Sequence, residues 1–241
     1  LRAVRYEVRL DASMDERTEE LALEAIDGGA LGTVSGKRMR VELMFLLEEE
    51  EMPSAVARIC GLGIDKHMYP CLRCDPDRAA GTALGAAEVG AERSLAVLAT
   101  LMVGDADALH PWLDRLAFPR PERERVARAA LTGPHLAHTL RADMSDSEVH
   151  SLLHGEPVEA LAVALGWGAP GEPVLRYVRD LRGATLEITG ADLIAEGVAE
   201  SPAVGEALEE TLRRKLDGEV HGRDEELRVA LAVARRTGAL D

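Results

Sequence analysis

The feature that most restricts this chain is its punctuation. Segments rich in Ala, Leu, Glu and Arg, all strong helix formers, alternate with Ser, Asp, Pro and Gly where helices start and stop. The β-branched alternation that a half-buried strand requires is scarce. The reading is all-α. Ser13-x-x-Glu16 and Ser145-x-x-Glu148 have capping-box spacing. Ser201-Pro202 joins an N-cap residue to proline at the first helical position. Gly28-Gly29 and Gly218 supply stops. Helices are expected from the first box to Asp27, from Ser35 (with Met39, Leu43 and Leu46 on one side) and from Pro53. Others are expected at about 84–103, 105–117, 121–131, 145–154, 157–166, 172–182, 202–216 and 224–237, with Pro111 placed to split the second of these. Thr185–Thr189 is the one extended candidate, too short and isolated for a sheet. Cys71–Gly85 reads as a long connection and Gly166–Pro173 as a linker.

Charge limits the partners. Forty-three acids against twenty-eight bases leave a net charge of −15. Such a chain is no general polyanion binder, so any nucleic-acid contact must use local basic patches. Glu48–Glu51 closes the Ser35 helix with the wrong sign for its dipole, so that end is expected to fray or to meet a basic partner. The longest apolar run, Leu95–Val103, is far short of the about 20 residues a membrane span needs. With no signal pattern at Leu1-Arg2-Ala3 and an odd three cysteines, the expectation is a soluble, cytoplasmic protein without a disulfide scaffold. A first residue other than Met suggests a piece of a longer product.

Most local chemistry reads as structural. No phosphate loop or nucleophile elbow is present. Asp75-x-Asp77 and Asp105-x-Asp107 have the spacing of a two-magnesium pair but sit in helix or loop context, where turn and N-cap roles suit them better. Cys71-x-x-Cys74, with Cys60 and His67, offers four soft ligands within 15 residues, enough in number for zinc; incidental cysteines are the simpler reading, with Cys60 a core thiol. His150 and His154 at i, i+4, and His135 and His138 at i, i+3, lack the metalloprotease glutamate and read as surface or interface histidines.

The basic clusters say more. Arg2, Arg5 and Arg9 recur at three and four, so they share one helix face. Tyr6 lies beside Arg5 but does not make an aromatic-interleaved patch. Lys37, Arg38 and Arg40 open another helix, where positive charge opposes the dipole unless an anion sits opposite. Arg213-Arg214-Lys215 closes a helix, where cations suit the dipole, and reads as structural.

At these clusters a family resemblance enters. Leu1–Leu10 (Leu-Arg-Ala-Val-Arg-Tyr-Glu-Val-Arg-Leu), followed by Asp15-x-x-Thr18, resembles the neck helix of bacterial tRNA nucleotidyltransferases and poly(A) polymerases. Ser35-Gly-Lys-Arg-Met-Arg-Val-Glu-Leu43 and Gly61-Leu-Gly-Ile through Pro70 are similar to the segments that follow it there. Ile188-Thr-Gly-Ala-Asp-Leu-Ile-Ala-Glu-Gly197 is similar to the family's tail signature, which Pro202-x-x-Gly205, Leu208, Leu212 and Asp217-Gly218-Glu219 continue. Residues about 75–185 add only helicity.

The resemblance implies a neck–body–tail array, divided as 1–52, 53–166 and 167–241, without the α/β head that carries the family's metal-binding Asp-x-Asp and its Glu-Asp-x-x-Arg nucleotide reader. It implies that Arg2, Arg5, Arg38 and Glu42 lie beside the nucleotide site, with Arg38 and Glu42 bracing it, and that Arg9, Lys37 and Arg40 are candidate RNA contacts. It implies a partnership with the tRNA acceptor arm and elbow and with a head domain of the same polypeptide, and allows a homodimer. No catalytic residue and no cofactor is expected here; Mg²⁺ with ATP or CTP would come with the head, so the chain alone should be inactive. CCA or A addition leads, poly(A) addition is the near alternative, and a silent interaction or dimerisation scaffold is the reading from another class.

Overall fold

The computed structural model describes residues 1–69, 72–104 and 106–236. Among them the chain is helical with no strand, as the punctuation implies. No described helix is long and apolar enough to cross a membrane. Two compact units emerge. One comprises residues 1–141 with 155–171, the other residues 142–154 with 172–241. The passage at 171/172 falls in the Gly- and Pro-rich stretch, and the expected boundary at 52/53 falls inside the first unit.

The first unit holds α1 (Arg2–Leu10), α2 (Glu16–Asp27), α3 (Gly36–Leu47), α4 (Met52–Gly61), α5 (Ile64–Met68), α6 (Pro76–Val89), α7 (Arg93–Leu101), α8 (Ala106–Arg115), α9 (Arg120–Thr139) and α11 (Val158–Gly166). Its centre is α7. Every residue from Ser94 to Leu101 is buried, because a helix apolar on all sides must be packed on all sides. Around it stand α3, α6, α9 and α11. The α9–α11 contact is close: a Cβ on Gly133 would lie 2.5 Å from Cγ1 of Val163.

Several expectations are corrected here. Residues 84–103 form two helices, because Gly90 takes a left-handed conformation (φ 71°) that ends α6. Cys71–Gly85 is not one long connection: Pro76 starts α6, and Asp75 Oδ1 accepts the backbone N–H of Arg78 as its cap. Asp15, not Ser13, caps α2, accepting from the N–H of Thr18. Neither Pro111 nor Pro134 breaks its helix. Within the Glu48–Glu51 run, Glu49 finds a basic partner in Arg9, Glu48 accepts from the N–H of Ser94, Arg93 donates to the Glu49 carbonyl, and Glu50 and Glu51 are exposed.

The second unit holds α10 (Asp146–Leu153), α12 (Gly171–Arg176, of which Gly171 is counted with the first unit), a π-helical turn at Tyr177–Leu181, α13 (Gly190–Ala195), α14 (Pro202–Leu216) and α15 (Gly222–Arg236). The Ser145/Glu148 capping box forms as spaced. Ile188, Leu193, Val198, Ala207, Ala230, Val233 and Ala234 make its core. The tail-like Thr189-Gly-Ala-Asp192-Leu193 run has a structural job: Asp192 and Thr189 cap α13 reciprocally while Leu193 enters the core. Thr185–Thr189 is held without a sheet. The fully buried Glu226 carboxylate accepts the N–H groups of Glu187 (2.6 Å) and Ile188 (3.3 Å) and pairs with Lys215 Nζ (2.6 Å).

Replacing Glu226 by Ala strands two backbone donors and an ammonium group. Urea unfolding of the Glu226→Ala chain should show a loss of about 3–5 kcal/mol in the second unit, the cost of breaking one side of a buried pair. A loss below about 1 kcal/mol would remove Glu226 as the pin of this segment.

Candidate functional site

α1 is nine residues long and buries only Val4 and Arg5, too little apolar surface to hold so short a helix. Charge holds it instead. Arg5 is 7% exposed, and its guanidinium lies 3.3 Å from Glu42 of α3, which Arg2 approaches at 3.8 Å. Arg9 donates to Glu49 (2.6 and 3.1 Å). In the opposite sense, Glu7 accepts from Arg58 of α4, which also binds Glu19 of α2. These carboxylate bonds raise the Arg58 pKa, Glu19 contributing most and Glu7 next.

The start of α3 is set by close approach. A Cβ on Gly36 would run into the Arg115 carbonyl, so only glycine lets the helix begin here. Arg40 then donates to the carbonyl of Ala117, and its guanidinium lies over the Phe118 ring (5.4 Å). This seating leaves Lys37 and Arg38 exposed in the first turn, with no acid in that turn and no ion-pair partner among the described residues. Together with Arg2, Leu1, Leu31, Val34, Met39, Val41 and Glu42 they line a cleft of about 540 Å³.

The structure therefore sorts the sequence candidates. Arg2, Arg5, Arg38 and Glu42 come together, and Lys37 joins them at the cleft. Arg9 and Arg40 are taken up by Glu49 and by Ala117 and Phe118. Contrary to the sequence expectation, aromatic rings are interleaved with this cluster. Arg5 lies over Tyr6 (5.4 Å) and over the exposed Phe45 (5.1 Å), and Arg2 over Tyr6 (5.9 Å). The signal was present in the spacing: Arg38, Val41, Glu42 and Phe45 recur at three, four and seven on α3.

The remaining candidates fall elsewhere. Cys60 and Cys74 are joined as a disulfide, so Cys60 is not a free core thiol and neither sulfur can ligate zinc while the bond is closed. His67 Nδ1 bonds the Gly63 carbonyl, and Cys71 lies outside the described residues. Cys60 and Cys74 with Asp65 form the one gathering of three metal-capable groups among the described residues, a donor set that does not fit paired magnesium ions. Asp75 and Asp77 sit at the α6 N-terminus, and Asp105 lies outside the described residues. His135 and His138 are exposed on α9 as expected, but His150 is buried, stacked 4.8 Å from His154 and 6.1 Å from the Tyr177 ring. The basic run at 213–215 is structural, paired with Glu210 and Glu226.

No family model matches the chain. It is 27% identical over 253 aligned residues to the A-adding tRNA nucleotidyltransferase of Geobacter sulfurreducens, covering 97% of this chain and 29% of that protein. It superimposes on the Thermotoga maritima CCA-adding enzyme complexed with tRNA with a TM-score of 0.77 at 27% identity, covering 96% of this chain and 59% of that one. Over nearly its whole length the chain is similar to tRNA nucleotidyltransferases. A CCA-adding enzyme in complex with ATP matches similarly, with a TM-score of 0.79 at 26% identity over 96% of this chain and 59% of that one. The chain thus spans under a third of the curated relative and under three fifths of these solved chains.

Burial, and secondarily the charge of His154, lowers the His150 pKa from its ordinary value. The unfolded imidazole takes a proton near pH 6.5 while the folded one resists it. Folding stability should therefore decline as pH falls below about 6.5, and His150→Gln should flatten that limb when urea unfolding is followed from pH 7 to 5. A slope unchanged by the substitution would contradict this assignment.

Proposed function

We propose that this chain is the RNA-positioning C-terminal part of a tRNA 3′-end nucleotidyltransferase, adding CCA or A, and that α1 and α3 form the face that meets the RNA beside the nucleotide site. The observation that carries this reading is the cleft in which Arg2, Lys37 and Arg38 converge at the first turn of α3. Cations there oppose the helix dipole. An anion opposite them removes that conflict, and a phosphate backbone supplies several. In a chain of net charge −15, three exposed cations around one cleft are the local patch that RNA binding demands. Kinship with A-adding and CCA-adding enzymes supports tRNA as the ligand, read by shape and phosphate contacts as duplex RNA is.

In this reading Arg5 and Glu42 brace the face, and a head domain of the same polypeptide supplies the metal-binding carboxylates, Mg²⁺ and ATP or CTP. The isolated chain then transfers no nucleotide. The scaffold reading keeps the acidity and the exposed Glu50 and Glu51, while Glu48 and Glu49 are used within the first unit.

Binding of the chain to tRNA is expected at low salt and should weaken steeply as salt rises, by a logarithmic slope of about 0.7–0.9 for each phosphate contacted. Lys37→Glu with Arg38→Glu should cost at least about tenfold in affinity and reduce that slope by about 2. Salt-series titrations with fluorescent tRNA check both. No binding at low salt, or an unaltered slope in the double variant, would overturn the assignment, as would incorporation of labelled AMP by the isolated chain.

A further inference from the structure

Ion pairs explain how α1 is attached to α3 but not why two aromatic rings stand in water there. Tyr6 is 40% and Phe45 52% exposed, in a chain with only three Tyr and two Phe. Both rings lie against one guanidinium, that of Arg5, at 5.4 and 5.1 Å. Arg5 is almost wholly buried and its charge already faces Glu42. It is thereby withdrawn from phosphate binding, and what it does is hold the two rings in place. Phosphate contact is left to Arg2, Lys37 and Arg38 at the adjoining cleft.

Exposed rings beside exposed cations match one ligand chemistry well. An unpaired nucleotide presents a π face that any aromatic ring can cover and a phosphate that a nearby cation can neutralise. A duplex offers phosphates but keeps its base faces stacked internally. A protein partner would be expected to meet a patch depleted of charge at its centre, whereas here cations and rings alternate. We propose that Tyr6 and Phe45 form a stacking platform for unpaired nucleotides at the single-stranded 3′ end of an RNA, with Arg5 as the positioning residue that orients both rings. This rests on the RNA-facing role of the same surface argued above and specifies which part of the RNA it takes.

The test is a fluorescence-anisotropy titration of the chain against an acceptor-stem hairpin carrying a short unpaired 3′ extension and against the same hairpin with a blunt end. The extended RNA should bind about tenfold more tightly, the scale of one stacked base. Phe45→Leu and Tyr6→Leu, both at exposed positions, should each shrink that preference while leaving blunt-hairpin affinity unchanged, with no more than the few-degree fall in thermal unfolding midpoint that one lost cation–π contact costs. Arg5→Lys should lower the preference without altering the salt slope, which a phosphate contact would alter. Equal binding of the two RNAs, or a preference that survives both ring substitutions, overturns the platform and leaves the RNA-facing reading standing. Failure to bind either RNA overturns both. Concentration-dependent self-association that Phe45→Leu abolishes, with RNA preference intact, would make this face a protein interface and likewise overturn the platform.

Discussion

The candidate site depends on holding a helix that has almost nothing apolar to hold it by. α1 buries one valine and one arginine. Placing a guanidinium at 7% exposure costs several kcal/mol in desolvation before any partner is counted. The Glu42 carboxylate and the faces of two aromatic rings offset that cost, while Arg9–Glu49 and Glu7–Arg58 fasten the rest of the helix to its neighbours. Ionic attachment also gives direction. A greasy stripe tolerates sliding, whereas three pairs of specified partners fix where α1 lies along α3 and α4.

The same logic explains how an acidic protein keeps a basic cleft. Most arginines on this face are neutralised by carboxylates a few ångströms away, and Arg40 is turned onto a carbonyl and a ring. Lys37 and Arg38 are left exposed because Gly36 lets α3 start hard against Arg115, so its first turn stands clear of the acids that follow it. Positive charge is thereby gathered at this opening in a chain whose net charge is −15.

Much of this was legible in the residues. Helix formers punctuated by caps gave the all-α class, and the clustering of Arg2, Arg5, Arg38 and Glu42 followed from helical spacing together with the resemblance at both ends of the chain. What escaped had tertiary causes. Gly90 reads as one more small residue in an Ala-rich run until its left-handed backbone splits the helix. Ser13 and Asp15 are both plausible caps, and only the fold selects Asp15. Phe45 lies on the same stripe as Arg38 and Glu42, but its partnership with Arg5 requires two helices to be brought together. The Cys60–Cys74 bond spans 14 residues and gave no local signal. His150 looked like a surface residue because nothing nearby in sequence announces the rings that enclose it.

On the proposed function, RNA lands on the α1–α3 face and not on the acidic remainder of the molecule. Hydroxyl-radical footprinting of the chain with and without tRNA, read by mass spectrometry of side-chain oxidation, measures this directly. Tyr6, Val41 and Phe45, all of them exposed in the chain alone, should be protected in the tRNA complex. Full oxidation of these side chains in a saturated complex, with protection confined to the second unit, would contradict it.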